Sequence, residues 1–333
     1  MKKLFFTLLM TASLVSCSND EVVDGIERQA ISFGNVFVDK ATRAASENDP
    51  TYTKDNLDGF YVYGNVYGNV TGQEQTVNLY SGAYVKKVGN AWDCAITQYW
   101  VPNCSYIFAA VTDVDNDKVK VKVENGLPKS ISYDVSCQKD LLYASANEST
   151  NADGTPNAAG TTNGNVNPVS FSFNHLLAKV KFTFTNNFAP ESGVELTVTD
   201  IKITNAANKA IYTFNPSKPW DKFGDLNATI SLGDTEKIAA GNKGESTKKA
   251  MLIPHAQQFD ITFTVKHNKG GSDTTKNITT KETVTLEVGH FYNFIAELNS
   301  SNVEGVVPIT FQITEGTWGN EETNDVTGPY PII

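Results

Sequence analysis

A chain of 333 residues is long enough for two domains that each bury a core, and 40% hydrophobic with 11% aromatic residues is a globular composition. The formal net charge of −10 argues against a nucleic-acid or anionic-membrane partner, both of which need a basic surface. Only 19% of residues are charged, and the many Thr, Asn, Gly and Val residues point to a β-rich protein.

In chain order, Lys2 and Lys3 form a positive start, and Leu4 to Val15 is an apolar run. That run is shorter than the roughly 20 apolar residues needed to span a bilayer, so it reads as a secretion signal. Leu14-Val15-Ser16-Cys17 resembles a bacterial lipobox, which makes residues 1–17 the signal peptide and Cys17 the lipidated residue. The alternative is an ordinary secretory signal with a chance cysteine. Ser18-Asn19-Asp20-Glu21 resembles the acidic signal that sends some lipoproteins to the outer face of the outer membrane. Residues 18–43 then read as a propeptide with one strand-like run, Ile31 to Val38, and an arginine followed by alanine at Arg43-Ala44. Arg28 and Arg43 are the only arginines in the chain; beyond Ala44 every strongly basic residue is a lysine. An arginine-specific protease would therefore cut the leader and find no further site. Removing the leader leaves the net charge unchanged, because it carries equal numbers of basic and acidic side chains.

Beyond the leader, period-two alternation with one apolar face dominates. Val119, Val121 and Val123 alternate with Lys118, Lys120 and Lys122, and Val169, Phe171 and Phe173 with Ser170 and Ser172. Val180, Phe182 and Phe184 alternate with Lys181, Thr183 and Thr185, and Phe259, Ile261, Phe263 and Val265 with Asp260, Thr262 and Thr264. Near the end Ile309, Phe311 and Ile313 alternate with Thr310 and Gln312. From Leu196 to Ile203 the apolar phase slips by one, which predicts a bulge or break. Convincing long amphipathic helices are missing, so the expected fold class is all-β, built of antiparallel sandwiches. Ser145 to Pro168 is small, polar and turn-rich and reads as a loop or connection; Lys237 to Lys249 and Lys266 to Thr280 read as shorter surface loops. The expected domains are 44–168 and 169–333.

Little in the sequence suggests chemistry. Apart from Cys17 there are Cys94, Cys104 and Cys137, an odd count in a compartment that permits disulfides. Cys94 and Cys104 would pair if the stretch between them turned back; small buried hydrophobes are the alternative. The four histidines, His175, His255, His267 and His290, show no HExxH or HxH spacing, and no Cys/His zinc pattern occurs, so no metal is expected. Neither a GxSxG elbow nor a Walker loop is present, and the carboxylates are scattered, so no catalytic residue, enzyme activity or cofactor is expected. His175 reads as a packed, hydrogen-bonded turn residue. Tyr61, Tyr63 and Tyr67 would either stack on sugars or cover the outer face of a sheet.

Several phrases follow one another along the chain: Ile31-Ser32-Phe33 leading to Ala41-Thr42-Arg43-Ala44, Tyr99-Trp100-Val101-Pro102 leading to Tyr106-Ile107-Phe108-Ala109-Ala110, and Asp140-Leu141-Leu142-Tyr143-Ala144. Phe173-Asn174-His175-Leu176-Leu177-Ala178-Lys179-Val180, Met251-Leu252-Ile253-Pro254, Gly289-His290-Phe291-Tyr292-Asn293-Phe294 and Trp318 follow. Behind a lipobox, this order resembles the fimbrillin family, the type V pilins of Bacteroidales, and its Mfa-like branch in particular. The resemblance implies two transthyretin-like antiparallel β-sandwich domains in tandem. It also implies a lipoprotein precursor on the outer membrane, trimmed after Arg43 by a trypsin-like arginine-specific protease. The loss of the first strand then leaves a groove that a neighbouring subunit's strand refills in the cell-surface fimbrium.

On this chain the resemblance makes Ile31 to Val38 the removable strand, with Ile31, Phe33 and either Val36 or Val38 facing inward. The candidate donor strand lies in Val306 to Ile333 and carries Ile309, Phe311 and Ile313; the alternative is that these residues close the second domain's own sheet, as Trp318 after them suggests. The expected partners are other pilin subunits, the protease and a host or bacterial surface ligand. The membrane enters only through the lipid on Cys17. The expected role is adhesion and biofilm formation, in the shaft or at the tip. A surface-anchored glycan-binding lipoprotein that never polymerises is the alternative, and a hydrolase is third.

Overall fold

The structure, a computed structural model, describes residues 29–38, 49–69, 74–114, 117–151, 168–214 and 217–318. The expected signal peptide, Cys17, Arg43, Ala44 and the tail beyond Trp318 lie outside the described residues. Among the described residues no helix is long and apolar enough to cross a membrane.

The first half consists of β1 (Phe33–Val38), β2 (Gly59–Asn69), β3 (Glu74–Val88), β4 (Ala91–Cys94), β5 (Cys104–Val111), β6 (Val119–Glu124), β7 (Leu127–Asp134), β8 (Leu142–Ser149) and β9 (Val169–His175). Seven of these strands form one sheet in the order β1-β9-β8-β5-β2-β3-β4. In β9 the alternation holds: Val169, Phe171 and Phe173 are buried and Ser170 and Ser172 exposed. In β5 alternate residues feed two cores. Tyr106, Phe108 and Ala110 enter one, lined by Phe60, Tyr80, Trp100, Phe171 and Phe173, while Ala109 and Val111 enter another on the opposite face.

The second half adds β10 (Ala178–Asn186), β11 (Glu195–Ala207), β12 (Lys209–Thr213), β13 (Trp220–Asp221), β14 (Leu226–Gly233), β15 (Ile238–Ala239), β16 (Lys243–Glu245), β17 (Ala250–Leu252), β18 (Ala256–Lys269), β19 (Ser272–Thr285), β20 (His290–Leu298) and β21 (Phe311–Thr317). Two sheets, β16-β10-β20-β21 with β17 beside β10, and β14-β11-β18-β19 with β15 beside β11, enclose Phe182, Phe184, Phe263, Phe294 and Phe311. A four-stranded sheet, β13-β12-β7-β6, takes one hairpin from each half, and the second core runs through it to Tyr63, Val119, Ile131 and Tyr133. The all-β expectation holds, and antiparallel pairing dominates. Two pairs are parallel, β1 with β9 and β10 with β20; each joins strands far apart in sequence, as parallel pairing requires.

The phase slip in Leu196–Ile203 is a bulge: the β11–β18 register jumps between Thr199 and Lys202, and Asp200 sits at φ 57°. The expected loops need correction. β8 continues to Ser149 because Ser149 still pairs with Ser105 of β5. Lys237 to Lys249 contains β15 and β16. Lys266 to Thr280 belongs to the hairpin β18–β19, which turns at Gly270 and Gly271, both with positive φ; its threonines and lysines are polar because it is solvated, not because it is irregular. The expected boundary at residue 169 falls just before β9, which pairs into the sheet of the first half with β8 and β1.

Candidate functional site: the groove filled by the leader strand

The leader segment is bonded on one side to the segment between β4 and β5 and on the other to β9, where β1 forms the edge of the seven-stranded sheet. On one side the Ile31 N–H donates to the Gln98 carbonyl at 2.7 Å and the Trp100 N–H to the Gln29 carbonyl at 3.0 Å. On the other, β1 runs parallel to β9, with the Val169 N–H donating to the Ser32 carbonyl at 2.8 Å. Ile31, Phe33 and Val36 are buried and Val38 packs half-buried on the same core, so both Val36 and Val38 join Ile31 and Phe33, where one of the two was expected. Strict alternation cannot place Phe33 and Val36 on one face. An extra residue after Gly34, with Asn35 at φ 46°, resets the phase and turns Phe37 out.

Phe33 is the centre of the groove. Its ring stacks on Phe171 at 5.9 Å and meets the edges or faces of Tyr80 at 5.5 Å, Phe108 at 6.1 Å and Phe60 at 6.5 Å. Burying Ile31, Phe33 and Val36 is worth about 1.5–3 kcal/mol each, and aromatic pairs add about 0.5–1.5 kcal/mol beyond area. A sheet without this strand would leave β9 with an unpaired edge and Phe171, Phe60 and Phe108 facing an open slot.

The chain after the leader is pinned elsewhere. The Asp49 carboxylate is 2.8 Å from the Lys249 ammonium and 3.7 Å from that of Lys179, and it accepts from the Thr51 hydroxyl. Lys179, 2% exposed on β10, donates to Thr51 Oγ1 at 3.0 Å and lies over the rings of Phe291 and Trp318 at 5.5 and 5.4 Å. Trp318 Nε1 donates to Thr51 Oγ1 at 3.4 Å, and the indole stacks on His175 at 4.1 Å. His175 Nδ1 is 2.7 Å from Asp140 Oδ2, which also accepts the Tyr52 N–H at 3.0 Å. Burial raises the Asp49 carboxyl, but Lys179 and the hydrogen bonds from Lys249 and Thr51 outweigh it and hold the pKa below 3.8. A buried lysine is tolerable here because it is paired and cradled by aromatic faces. Asp49, Thr51 and Tyr52 thus meet Trp318 at one node between the halves. His175 is packed and hydrogen-bonded, as expected. The roles of Asp49, Lys179 and Lys249 left no mark in the periodicity.

The candidate donor residues lie in the second half's own core. β21 pairs antiparallel with β20, and Phe311 meets Phe182 at 5.3 Å, Phe184 and Phe263 at 6.0 Å and Phe294 at 6.1 Å. Ile309 is buried and Ile313 half-buried. Here the strand closes its own sheet.

The disulfide expectation is corrected: Cys94, Cys104 and Cys137 are present as thiols. β2 and β3 lie between the strands of Cys94 and Cys104. Cys94 pairs with Val85, hence in register with Phe60, whereas Cys104 pairs with Gly68 at the far end of β2. That places them roughly 25 Å apart along the strands, against the 7 Å or so a disulfide tolerates. Tyr63 is buried and Tyr61 and Tyr67 half-buried, which favours their reading as sheet-covering residues. Among the described residues one group has metal-ligating types together: Glu287, His290 and Glu315, with ligand atoms within 4.8 Å of one another. Within it His290 Nδ1 lies 2.5 Å from Glu315 Oε1, which also accepts from the Tyr292 hydroxyl at 3.1 Å.

Several solved structures are similar at low identity. Among them are a candidate cell adhesion protein from Bacteroides uniformis (14% identity, 87% of this chain and 98% of that one, TM-score 0.46), a fimbrial assembly protein from Parabacteroides distasonis (14%, 90% and 98%, 0.41) and the fimbrial anchor protein Mfa2 from Porphyromonas gingivalis (10%, 87% and 98%, 0.35). No curated protein matches the chain. The model of the fimbrillin-like family matches residues 42–317, most of the chain, and the chain therefore belongs to the fimbrillin-like family.

Proposed function

We propose that this chain is a structural subunit of a type V fimbria, exported as a lipoprotein on Cys17, cleaved after Arg43 and joined to other subunits by strand exchange. The observation that carries the reading is the leader strand itself. Phe33 fills the centre of the first core from an edge strand that a cut after Arg43 would detach from the chain. Asp49 and Thr51, a few residues further on, are bonded independently to the second half, so the new amino terminus would stay in place while the groove opened. Before cleavage the leader blocks the groove and keeps the precursor monomeric; afterwards a neighbour's strand supplies the missing backbone bonds and apolar side chains. The reading places the finished subunit in a cell-surface appendage serving adhesion and biofilm formation. Two two-domain transthyretin-like sandwiches of this kind would then be linked end to end for each joint formed.

N-terminal sequencing of surface-extracted protein tests this. The expected result is a start at Ala44 together with SDS-resistant ladders, and Arg43→Ala should block the ladders while leaving the protein folded. Protein that stays lipidated at Cys17 and monomeric after cleavage would overturn the reading in favour of an anchored binder.

A further inference from the structure

We infer that the strand which replaces the leader must carry the pattern apolar, any, Phe, Gly, Asn or Gly, apolar, any, apolar, and that a separate polypeptide supplies it rather than a second copy of this chain's Ile309–Ile313 strand. The inference rests on the strand-exchange reading and specifies the partner for that groove.

The pattern follows from the register. Phe33 pairs with Val169 and Gly34 with Ser170, but Phe37 pairs with Ser172 and Val38 with Phe173, so the occupant carries one residue more than β9 between these points. The extra residue makes the inward positions 31 and 33, then 36 and 38. Position 34 is closed to any side chain: a Cβ there would lie 2.6 Å from Pro168 Cγ and 3.0 Å from its Cβ, and a proline ring cannot swing away. Position 35 sits at φ 46°, which Asn and Gly adopt readily and a β-branched residue does not. Position 33 demands a flat ring, because its surroundings are the four rings of Phe60, Tyr80, Phe108 and Phe171. The occupant must also run parallel to β9.

Outside the leader itself, the three segments of this chain that come nearest fail the pattern. Aligning Ile309 and Phe311 on Ile31 and Phe33 puts Gln312 against Pro168, Ile313 in the left-handed position, and Thr314 and Gly316 where Val36 and Val38 are buried. Trp318-Gly319-Asn320 repeats the aromatic-Gly-Asn core, but Glu321 and Thr323 would then face the core, and Trp318 is already buried against His175. Tyr63-Gly64-Asn65-Val66-Tyr67 comes nearest, yet it is the middle of β2, paired on both sides with β3 and β5.

The test uses the full chain cut by an arginine-specific protease and mixed with fluorescent peptides, with displacement of the retained leader fragment read by native mass spectrometry. The peptides are residues 29–38, the same with Gly34→Val, with Phe33→Ala or with Asn35 deleted, and residues 306–317. The expected result is that the parent peptide displaces the fragment, each altered leader peptide competes at least about tenfold more weakly, and 306–317 does not displace it. If Gly34→Val or 306–317 competes within about threefold of the parent, the pattern is wrong while strand exchange survives. If the parent peptide cannot displace the fragment at any concentration that keeps the protein folded, strand exchange fails and the pattern falls with it.

Discussion

Each half of the molecule has an edge strand that plugs a phenylalanine into an aromatic core, β1 at the start of the first half and β21 at the end of the second, and the two strands are held in different ways. β21 follows β20 closely in sequence, pairs with it antiparallel without interruption from Phe311 to Thr317, and runs into Trp318, which is locked against His175 and Thr51. β1 pairs with a strand more than a hundred residues away, runs parallel to it, carries a bulge, and precedes Arg43 in the chain. Burial is comparable, Phe33 being 4% and Phe311 9% exposed. Burial therefore does not distinguish β21 from the strand proposed to be replaced; chain connection does. A strand bonded into its sheet by covalent neighbours on both sides keeps its loop-closure advantage, whereas a cut beside β1 turns an intramolecular contact into a ligand.

The sharpest way to separate the two strands is to empty each ring position. Phe33→Ala and Phe311→Ala should each destabilise the intact chain by about 3–5 kcal/mol in urea titrations. After cleavage at Arg43 they should part company: gel filtration should show the Phe33→Ala leader fragment lost, and the Phe311→Ala protein still holding its leader. Equal retention in both would erase the distinction.

A smaller effect probes the node that separates the leader from the rest. Asp49→Asn leaves Lys179 buried beside a neutral partner and should cost about 3 kcal/mol. Because the native Asp49 carboxyl lies below its ordinary value of 3.8, its contribution is present in full above that value and is lost as the pH falls below it. Denaturant midpoints of the two proteins should therefore converge in acid and differ at neutral pH; a gap that stayed constant with pH would remove the ion pairs from the explanation. Below this in size is Gly34→Ala, expected to cost about 1–3 kcal/mol through overpacking and to be relieved when Pro168→Ala is added. Independent, additive losses would place the strain somewhere other than that contact. The smallest expected effect is none: a reducing agent should leave the thermal midpoint unchanged, since Cys94 and Cys104 sit on strands with two others between them.

Much of the fold is legible in the chain. Alternation alone locates β9, β10, β18 and β21, and the slipped phase before Ile203 marks the bulge at Asp200, because a half-buried strand has to repeat every second residue. The inward set of the leader was readable for the same reason, up to the choice between Val36 and Val38 that the bulge resolves by admitting both. What lay beyond the sequence concerns faces rather than strands. Lys179 and Lys181 alternate with Val180 and Phe182 as an outward face would, yet both are buried, because Asp49 and Glu245 arrive from distant segments to pair with them. The hairpin sheet shared by the two halves, the parallel direction of β1 and the distance between the cysteines are likewise set by which strands become neighbours. Periodicity records that a side chain needs cover; only the assembled chain brings the residue that covers it.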